Sequence, residues 1–402
     1  MRHSGSSSEK AAADAAVRPP AIDVAEPPRR FPSGYVDGAL PAHHLNATKT
    51  KFKNPWPSHR FLFLGAAGSS AQIPPNVKEL IPWQKPTWGT DAGNEDKAKA
   101  TWLGHACYLL ELPTPQGAAR GPRIIFDPVF SNRCSPFQWL GPARYTDPPC
   151  TAEEVPAVDA IVLSHNHYDH TDIPTLRGLL SNPSCAAHVF VSLNTGPLMR
   201  NELKLPAERV HELDWWDERI LRVSLPSSSP SAPSVDAHVR ITSTPAQHVC
   251  ARGPFDRWAA LWTAWFVEEL VGPAKEVGKK LYFAGDTAYR TVKEGEDEDE
   301  VPVCPAFAEV GERFGGADVA LLPIGAYAPR EIFSNMHATP GDAVRMFKDV
   351  RAKKALAMHW GTWVLTTEPV LEPPELLRKE CMKAGVSDDE FLVPGLGETT
   401  LF

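Results

Sequence analysis

The run Ser164-His165-Asn166-His167-Tyr168-Asp169-His170 follows directly on the apolar stretch Ala160-Ile161-Val162-Leu163. Little else constrains the fold of this chain as tightly. Side chains able to bind a metal crowd into one short loop, at the point where a buried strand would run out. Residues two apart on an extended chain project to the same side, so His165 and His167 face one point. Asp169 and His170 come where the chain is already turning, and they can face a second. Two ligand pairs aimed at neighbouring points are what a two-metal centre requires. Without a cation, nothing offsets the cost of holding so many polar groups together.

Three more residues stand in matching contexts. His248 ends Thr244-Pro245-Ala246-Gln247-His248, beyond the strand-like Val239-Arg240-Ile241-Thr242. Asp286 lies in Gly285-Asp286-Thr287 after Leu281-Tyr282-Phe283-Ala284, and His359 in Met358-His359-Trp360-Gly361 after Ala355-Leu356. Each sits at or just past the C-terminal end of a short apolar strand, so the ligands would converge at one edge of a sheet. Taken singly each is an ordinary polar residue; the repeated pattern of strand then ligand makes them a set.

The segments around these residues define the architecture. Strands are expected at Ala106–Leu112, Arg123–Asp127, Asp159–Ser164, His188–Leu193, Ile220–Val223, Val239–Ser243, Trp262–Phe266, Lys280–Ala284, Val319–Pro323 and Leu356–His359. Helical spacing covers Ile173–Leu180, Phe307–Phe314, Ala343–Val350 and Glu375–Lys383,. Pro340 and Asp342 mark a helix start. Many strands with helices set outside them imply an α/β fold of two packed sheets with helices on both outer faces. Residues 49–402 are read as one domain, with 226–236 (Ser/Pro-rich) and 293–301 (acidic) as solvated surface inserts. Residues 1–48 are expected to be disordered, because their first 30 or so are rich in Ala, Ser and Pro with mixed charge,. Residues 49–100 form an extended apolar arm carrying Phe61-Leu62-Phe63-Leu64, Leu80-Ile81 and three tryptophans among prolines. Two readings of it stay open: an arm packed on the core, or a lip that dips into a bilayer, where tryptophan favours the interface.

Composition narrows the function classes. A net charge of −8 with no Lys/Arg block offers no footprint for a nucleic-acid backbone,. Seven cysteines, an odd number without a C-x-x-C pair, are the reduced thiols of an intracellular protein,. Cys107 and Cys185 fall in apolar stretches, and Cys250 lies two residues past His248. No run approaches the roughly 18 apolar residues of a membrane-spanning helix, and the start has no signal-peptide core. Glu9 and Asp14 weigh against a mitochondrial presequence,.

The order H-x-H-x-D-H, a distant His, G-D-T and a last His resembles the metallo-β-lactamase superfamily. Trp102-Leu103-Gly104-His105-Ala106, Glu212-Leu213-Asp214-Trp215-Trp216, Pro245-Ala246-Gln247-His248, Cys304-Pro305-Ala306-Phe307, Leu322-Pro323-Ile324-Gly325-Ala326-Tyr327 and His359-Trp360-Gly361-Thr362 are similar to one branch of it. That branch is the N-acylphosphatidylethanolamine-hydrolysing phospholipase D family, and the likeness covers roughly residues 50 to 400. It departs at the two inserts and the N-terminus, where no candidate ligand lies. The resemblance implies an αβ/βα four-layer sandwich holding two Zn2+ per chain. His165, His167 and His248 would bind one zinc; Asp169, His170 and His359 the other; Asp286 would bridge. Such a set leaves positions open for water, as catalytic zinc sites do. The implied reaction is hydrolysis of N-acylphosphatidylethanolamine to N-acylethanolamine and phosphatidic acid, by attack of a metal-bridging hydroxide on the phosphodiester.

Asp169, Asp286 and His337 are the catalytic candidates, with His337 expected to contact substrate or assist proton transfer to the leaving group. The implied partners are a phospholipid substrate and a peripheral membrane contact, mitochondrial or endomembrane. The sequence does not fix the oligomeric state, and a homodimer stays open. His105 is expected to hydrogen-bond in the core or beside the ligands. His43, His44, His59, His188, His211 and His238 are assigned to surface or packing, and Trp215-Trp216 to packing. The rival readings are a hydrolase of a soluble ester, lactone or phosphodiester, and a non-catalytic membrane-associated scaffold. The second is disfavoured by the survival of all seven ligands.

Overall fold

The computed structural model describes residues 20–28, 30, 40–60, 62 and 71–402. Strand β1 (Ile22–Ala25) comes first, followed by the short helix α1 (Val77–Leu80). A sheet then follows from β2 (Lys99–Gly104), β3 (Cys107–Glu111), β4 (Arg123–Phe126), β5 (Ala160–Val162), β6 (His188–Ser192) and β7 (Val210–Leu213). The second sheet comprises β8 (Glu218–Leu225), β9 (Val235–Thr244), β10 (Ala264–Val271), β11 (Glu276–Phe283), β12 (Val319–Pro323), β13 (Lys354–Met358) and β14 (Phe391–Leu392). Strand β15 (Thr399–Leu401) returns to β2, and β1 joins β8. The sheet orders are therefore β15-β2-β3-β4-β5-β6-β7 and β1-β8-β9-β10-β11-β12-β13-β14. In each sheet an antiparallel half passes into a parallel one, at β4–β5 and at β11–β12.

Side-chain alternation along the central strands decides the layering. Ile124 and Phe126 of β4, with Ala160 and Val162 of β5, enter the core between the sheets. Ile125 and Ile161 face the other way, into a second core. Helices α2 (Ile173–Ser181) and α3 (Gly196–Leu203) cover that outer face through Leu176, Leu179 and Met199. Across the inter-sheet core Phe126 stacks on Phe283 at 4.8 Å between ring centroids. Burying one such side chain contributes about 1.5–3 kcal/mol. Helices α4 (Ala306–Phe314), α6 (Pro340–Asp349) and α7 (Glu372–Ala384) pack beside the second sheet, with α6 against β12 and preceded by the short α5 (Arg330–Phe333). Thr339 and Asp342 close a reciprocal capping box on α6, with Pro340 in its first turn,. This is the four-layer sandwich the sequence implied.

Several expectations need correction. Within the 1–48 segment expected to be disordered, Ile22–Ala25 pairs antiparallel with β8, because alternate residues Ile22 and Val24 turn onto the core. Residues 40–48 are anchored too: His43 Nε2 lies 2.7 Å and His44 Nε2 2.9 Å from the Asp214 carboxylate, all three buried, although Leu40 and Leu45 stay exposed. In the 49–100 arm Phe52, Val77 and Ile81 pack on the core, while Ile73, Leu80 and Trp83 stay 44%, 49% and 53% exposed, so the packed reading covers one face of the arm and the lip reading stays open for the other. Leu62 is buried, while Phe61, Phe63 and Leu64 lie outside the described residues. Strands β2, β7, β14 and β15 and helix α3 lie outside the expected elements. Strand β2 opens on Lys99, which is buried only because Glu111 on β3 answers it at 3.3 Å; α3 opens on Gly-Pro, which looks like a turn. The acidic insert is exposed in part but is not a free solvated loop. Glu296 binds Arg60, Glu298 binds Arg290 and Arg330, and Asp299 binds Arg345.

Candidate metal centre

Strand β5 delivers the histidine loop, and Asp127 sets its shape. One residue past β4, with φ at +39°, Asp127 accepts from the Ser164 amide (2.7 Å), the Ser164 hydroxyl (2.6 Å) and His170 Nδ1 (2.7 Å). Both ends of the loop are therefore held by one carboxylate. Thr171 Oγ1 donates to the His165 carbonyl at 2.7 Å. Arg252 lies over the Tyr168 ring at 3.8 Å and donates to the carbonyls of Asn166 and Thr171.

The other candidates arrive from the second sheet. His248, beyond β9, donates through Nδ1 to the Met336 carbonyl at 2.8 Å, which leaves Nε2 free to ligate,. Its backbone is gripped by Asn54 of the arm, which donates to the His248 carbonyl (2.8 Å) and accepts from its amide (3.2 Å). Asp286 follows Gly285, where φ is +58° and an added Cβ would lie 2.6 Å from Ser164 Cβ; only glycine lets the two sheets approach here. His359, at the end of β13, donates its amide to the His105 carbonyl at 2.9 Å.

All seven candidate ligands come together. His165 Nε2 is 2.8 Å from His167 Nδ1, which is 3.4 Å from His248 Nε2. Asp169, His170 and His359, with His105, form a second group. Asp286 lies between the groups: its carboxylate is 2.8 Å from His359 Nε2, 3.2 Å from His170 Nε2 and 3.7 Å from His248 Nε2. His105 Nε2 binds Asp169 Oδ2 at 3.0 Å and so orients that ligand.

The residues fit a pair of cations on two grounds. His170 Nε2, His359 Nε2 and Asp286 Oδ1 are buried and make no well-directed hydrogen bond, although they lie within reach of one another. Each such orphan costs about 1–3 kcal/mol, and here they point at one another. The electrostatics agree. Burial drives the imidazoles of His165 and His248 well below their ordinary pKa, keeping them neutral with lone pairs available. Burial opposes a charge on His170 too, but Asp286, Asp169 and Asp127 outweigh it and hold its pKa well above the usual value. The pocket therefore concentrates negative potential, and its imidazole and carboxylate donors suit divalent transition metals. His337 stands at the rim, its side chain 15% exposed and Nδ1 3.9 Å from Asp286 Oδ2.

Asp127 escaped the sequence reading, since an Asp after Ile-Ile-Phe looks like an ordinary strand end. The signal was an acidic residue placed, like the ligands, at a strand terminus. Carboxylates that hold a metal-binding imidazole typically contribute tenfold to a hundredfold in metal affinity. Asp127→Asn is expected to weaken metal binding by about that factor, read by competition with a chelator. Unchanged affinity would reduce Asp127 to a loop brace.

Fold and site together define a metal-dependent hydrolase. Residues 122–360 match the model of the beta-lactamase superfamily domain. The chain is 33% identical over 314 residues to N-acyl-phosphatidylethanolamine-hydrolyzing phospholipase D 1 of Caenorhabditis elegans, spanning 77% of each protein. It is 29% identical over 390 residues to the mitochondrial N-acyl-phosphatidylethanolamine-hydrolyzing phospholipase D of Saccharomyces cerevisiae, spanning 88% of this chain and 75% of that one. Among solved structures, an isothiocyanate hydrolase from Delia radicum gut bacteria superposes with a TM-score of 0.50 at 18% identity, over 76% of this chain and 99% of that one. The chain belongs to the N-acylphosphatidylethanolamine-hydrolysing phospholipase D family of the metallo-β-lactamase superfamily.

Proposed function

We propose that this protein is a zinc-dependent phospholipase D that hydrolyses N-acylphosphatidylethanolamine to N-acylethanolamine and phosphatidic acid. The observation that carries the reading is Asp286 standing between two histidine-rich groups, in a chain a third identical to a phospholipase of that name. Two Zn2+ held there, one by His165, His167 and His248, the other by Asp169, His170 and His359, would neutralise phosphodiester charge and acidify an attacking water.

The chain's own groups do the rest. His105 and Asp127 hold Asp169 and His170 in place. The buried walls exclude bulk water and so strengthen every charge interaction inside. Burial pushes the His337 imidazole down to about 4, so near neutral pH it can donate a hydrogen bond from N–H but carries no surplus proton. It suits positioning a phosphate or leaving oxygen better than protonating it, and the departing ethanolamide oxygen takes its proton from solvent.

No helix among the described residues is long and apolar enough to cross a membrane, so the lipid would be met peripherally. The yeast relative's name makes mitochondria the first place to look for the protein. The test is zinc-loaded protein on mixed micelles of N-acylphosphatidylethanolamine in heavy-oxygen water. Phosphatidic acid carrying the label in its phosphate is expected, which places attack at phosphorus. Hydrolysis confined to a soluble ester or lactone would overturn the assignment.

A further inference from the structure

The segment that follows β4 builds a projecting tongue that the proposed chemistry leaves unused. Arg133 and Ala143 pair antiparallel at its base, and the Arg144 amide donates to the Asn132 carbonyl at 2.8 Å. Gln138 turns back, accepting from the Arg133 amide (3.1 Å) and donating to its carbonyl (3.0 Å). With Gln138 tied back to Arg133, the tip presents Phe137, Trp139 and Leu140 outward, 50%, 74% and 57% exposed. Phe137 and Trp139 stack on each other at 5.3 Å, with no larger surface to shelter them. Folding leaves this apolar cluster in water by construction, a cost that calls for a use.

The tongue stands beside the metal centre. Asn132 accepts from Trp363 Nε1, and the Trp363 ring packs edge-on at 5.0 Å against His105, which holds Asp169. Ser131 and Phe130 are tied to Asp172, just past the histidine loop. A second apolar tip borders the same loop. Phe255, 94% exposed, heads the turn at Arg252–Asp256, whose Arg252 grips Asn166 and Thr171. The charge matches as well: residues 128–144 and 250–258 offer Arg133 and Arg257 near the surface against the lone acid Asp256, in a chain whose net charge is −8, while Arg144 and Arg252 are turned inward onto backbone carbonyls.

We propose that Phe137, Trp139, Leu140 and Phe255 form a docking surface that enters the interfacial region of a phospholipid bilayer and seats the metal centre over the headgroups. Tryptophan and flanking arginines favour that depth, where apolar rings meet lipid phosphates. The inference rests on the phospholipase reading for its purpose, but it is tested without turnover. It adds the rim of the site to the 49–100 arm, where Ile73, Leu80 and Trp83 are also exposed, as the expected membrane contact.

The experiment is co-sedimentation of the full chain with phosphatidylcholine vesicles, with and without phosphatidylserine. The triple variant Phe137→Ser/Trp139→Ser/Leu140→Ser and the single variant Phe255→Ser are compared with wild type, with metal content and thermal midpoint checked in each. Wild type is expected to partition to vesicles, more strongly when they are anionic. The triple variant should partition at least tenfold less and the single variant severalfold less, both with unchanged metal and midpoint. Equal partition of wild type and triple variant overturns the proposal. So does a tip that proves to mediate self-association in sedimentation velocity while vesicle binding is unaffected. If the tip governs partition but N-acylphosphatidylethanolamine is not cleaved, the docking surface stands and the substrate assignment falls.

Discussion

Asp286→Asn is expected to lower kcat/KM for N-acylphosphatidylethanolamine by at least about 10³-fold while the fold persists, because removing the shared charge withdraws several kcal/mol of stabilisation. The carboxylate lies within 2.8–3.7 Å of imidazoles from both groups, and its neighbours hold it ionised: against burial, His170 and His359 keep its pKa well below the ordinary carboxylate range. An amide keeps the volume, so the close approach of the neighbouring Gly285 to Ser164 should survive. Elemental analysis should find fewer than two metals per chain, with an unchanged circular dichroism spectrum. A variant that keeps two metals and near-normal turnover would end the assignment of Asp286 as a bridge.

His337→Ala is expected to raise KM by about tenfold to a hundredfold, the worth of a hydrogen bond to a charged group, with a smaller fall in kcat. The pH dependence separates its two candidate roles. With its pKa lowered to about 4 by burial, His337 is neutral above that value, and a dication beside it would push the same way. The neutral ring donates one N–H at every pH above that value, and protonation below it keeps the donor and adds a charge that favours phosphate,. Wild type and alanine variant should therefore show the same pH profile of binding above about 4, offset by a constant factor in KM. Loss of an alkaline limb with a large fall in kcat would instead restore a general-acid role. Loss of bound metal would place His337 among the ligands.

The metal centre was legible because strand and ligand recur together: an apolar run of a few residues announces the strand, and the histidine or aspartate after it has nowhere to project but the sheet edge. The sandwich followed from the same runs, since Ile161 and Val162 are apolar on both faces of β5 and need cover on both. What stayed hidden depended on partners distant in the chain. Lys99 does not look like a strand residue until Glu111 is beside it. The acidic insert looks solvated until Arg60, Arg290, Arg330 and Arg345 surround it. Asn54 looks like one more polar residue among prolines, yet it fixes the backbone of His248. The tongue was missed because Pro-Phe-Gln-Trp-Leu-Gly lacks any periodicity; only exposure separates its apolar residues from core.

The return of β15 to β2 has a consequence for how the molecule is made. Thr399 faces Thr101 across that junction, their hydroxyls 2.8 Å apart and 298 positions distant in sequence. During synthesis the first sheet can pair from β2 to β7 early, yet its β2 edge stays bare until the rest of the chain has emerged. His359, too, reaches its place only after the second sheet has begun to close. Long-range closure of this kind folds slowly and leaves an open strand edge exposed meanwhile. Metal capture is therefore a late event in the life of the nascent chain, and the interval before it is when an unpaired β2 edge most needs a chaperone's protection.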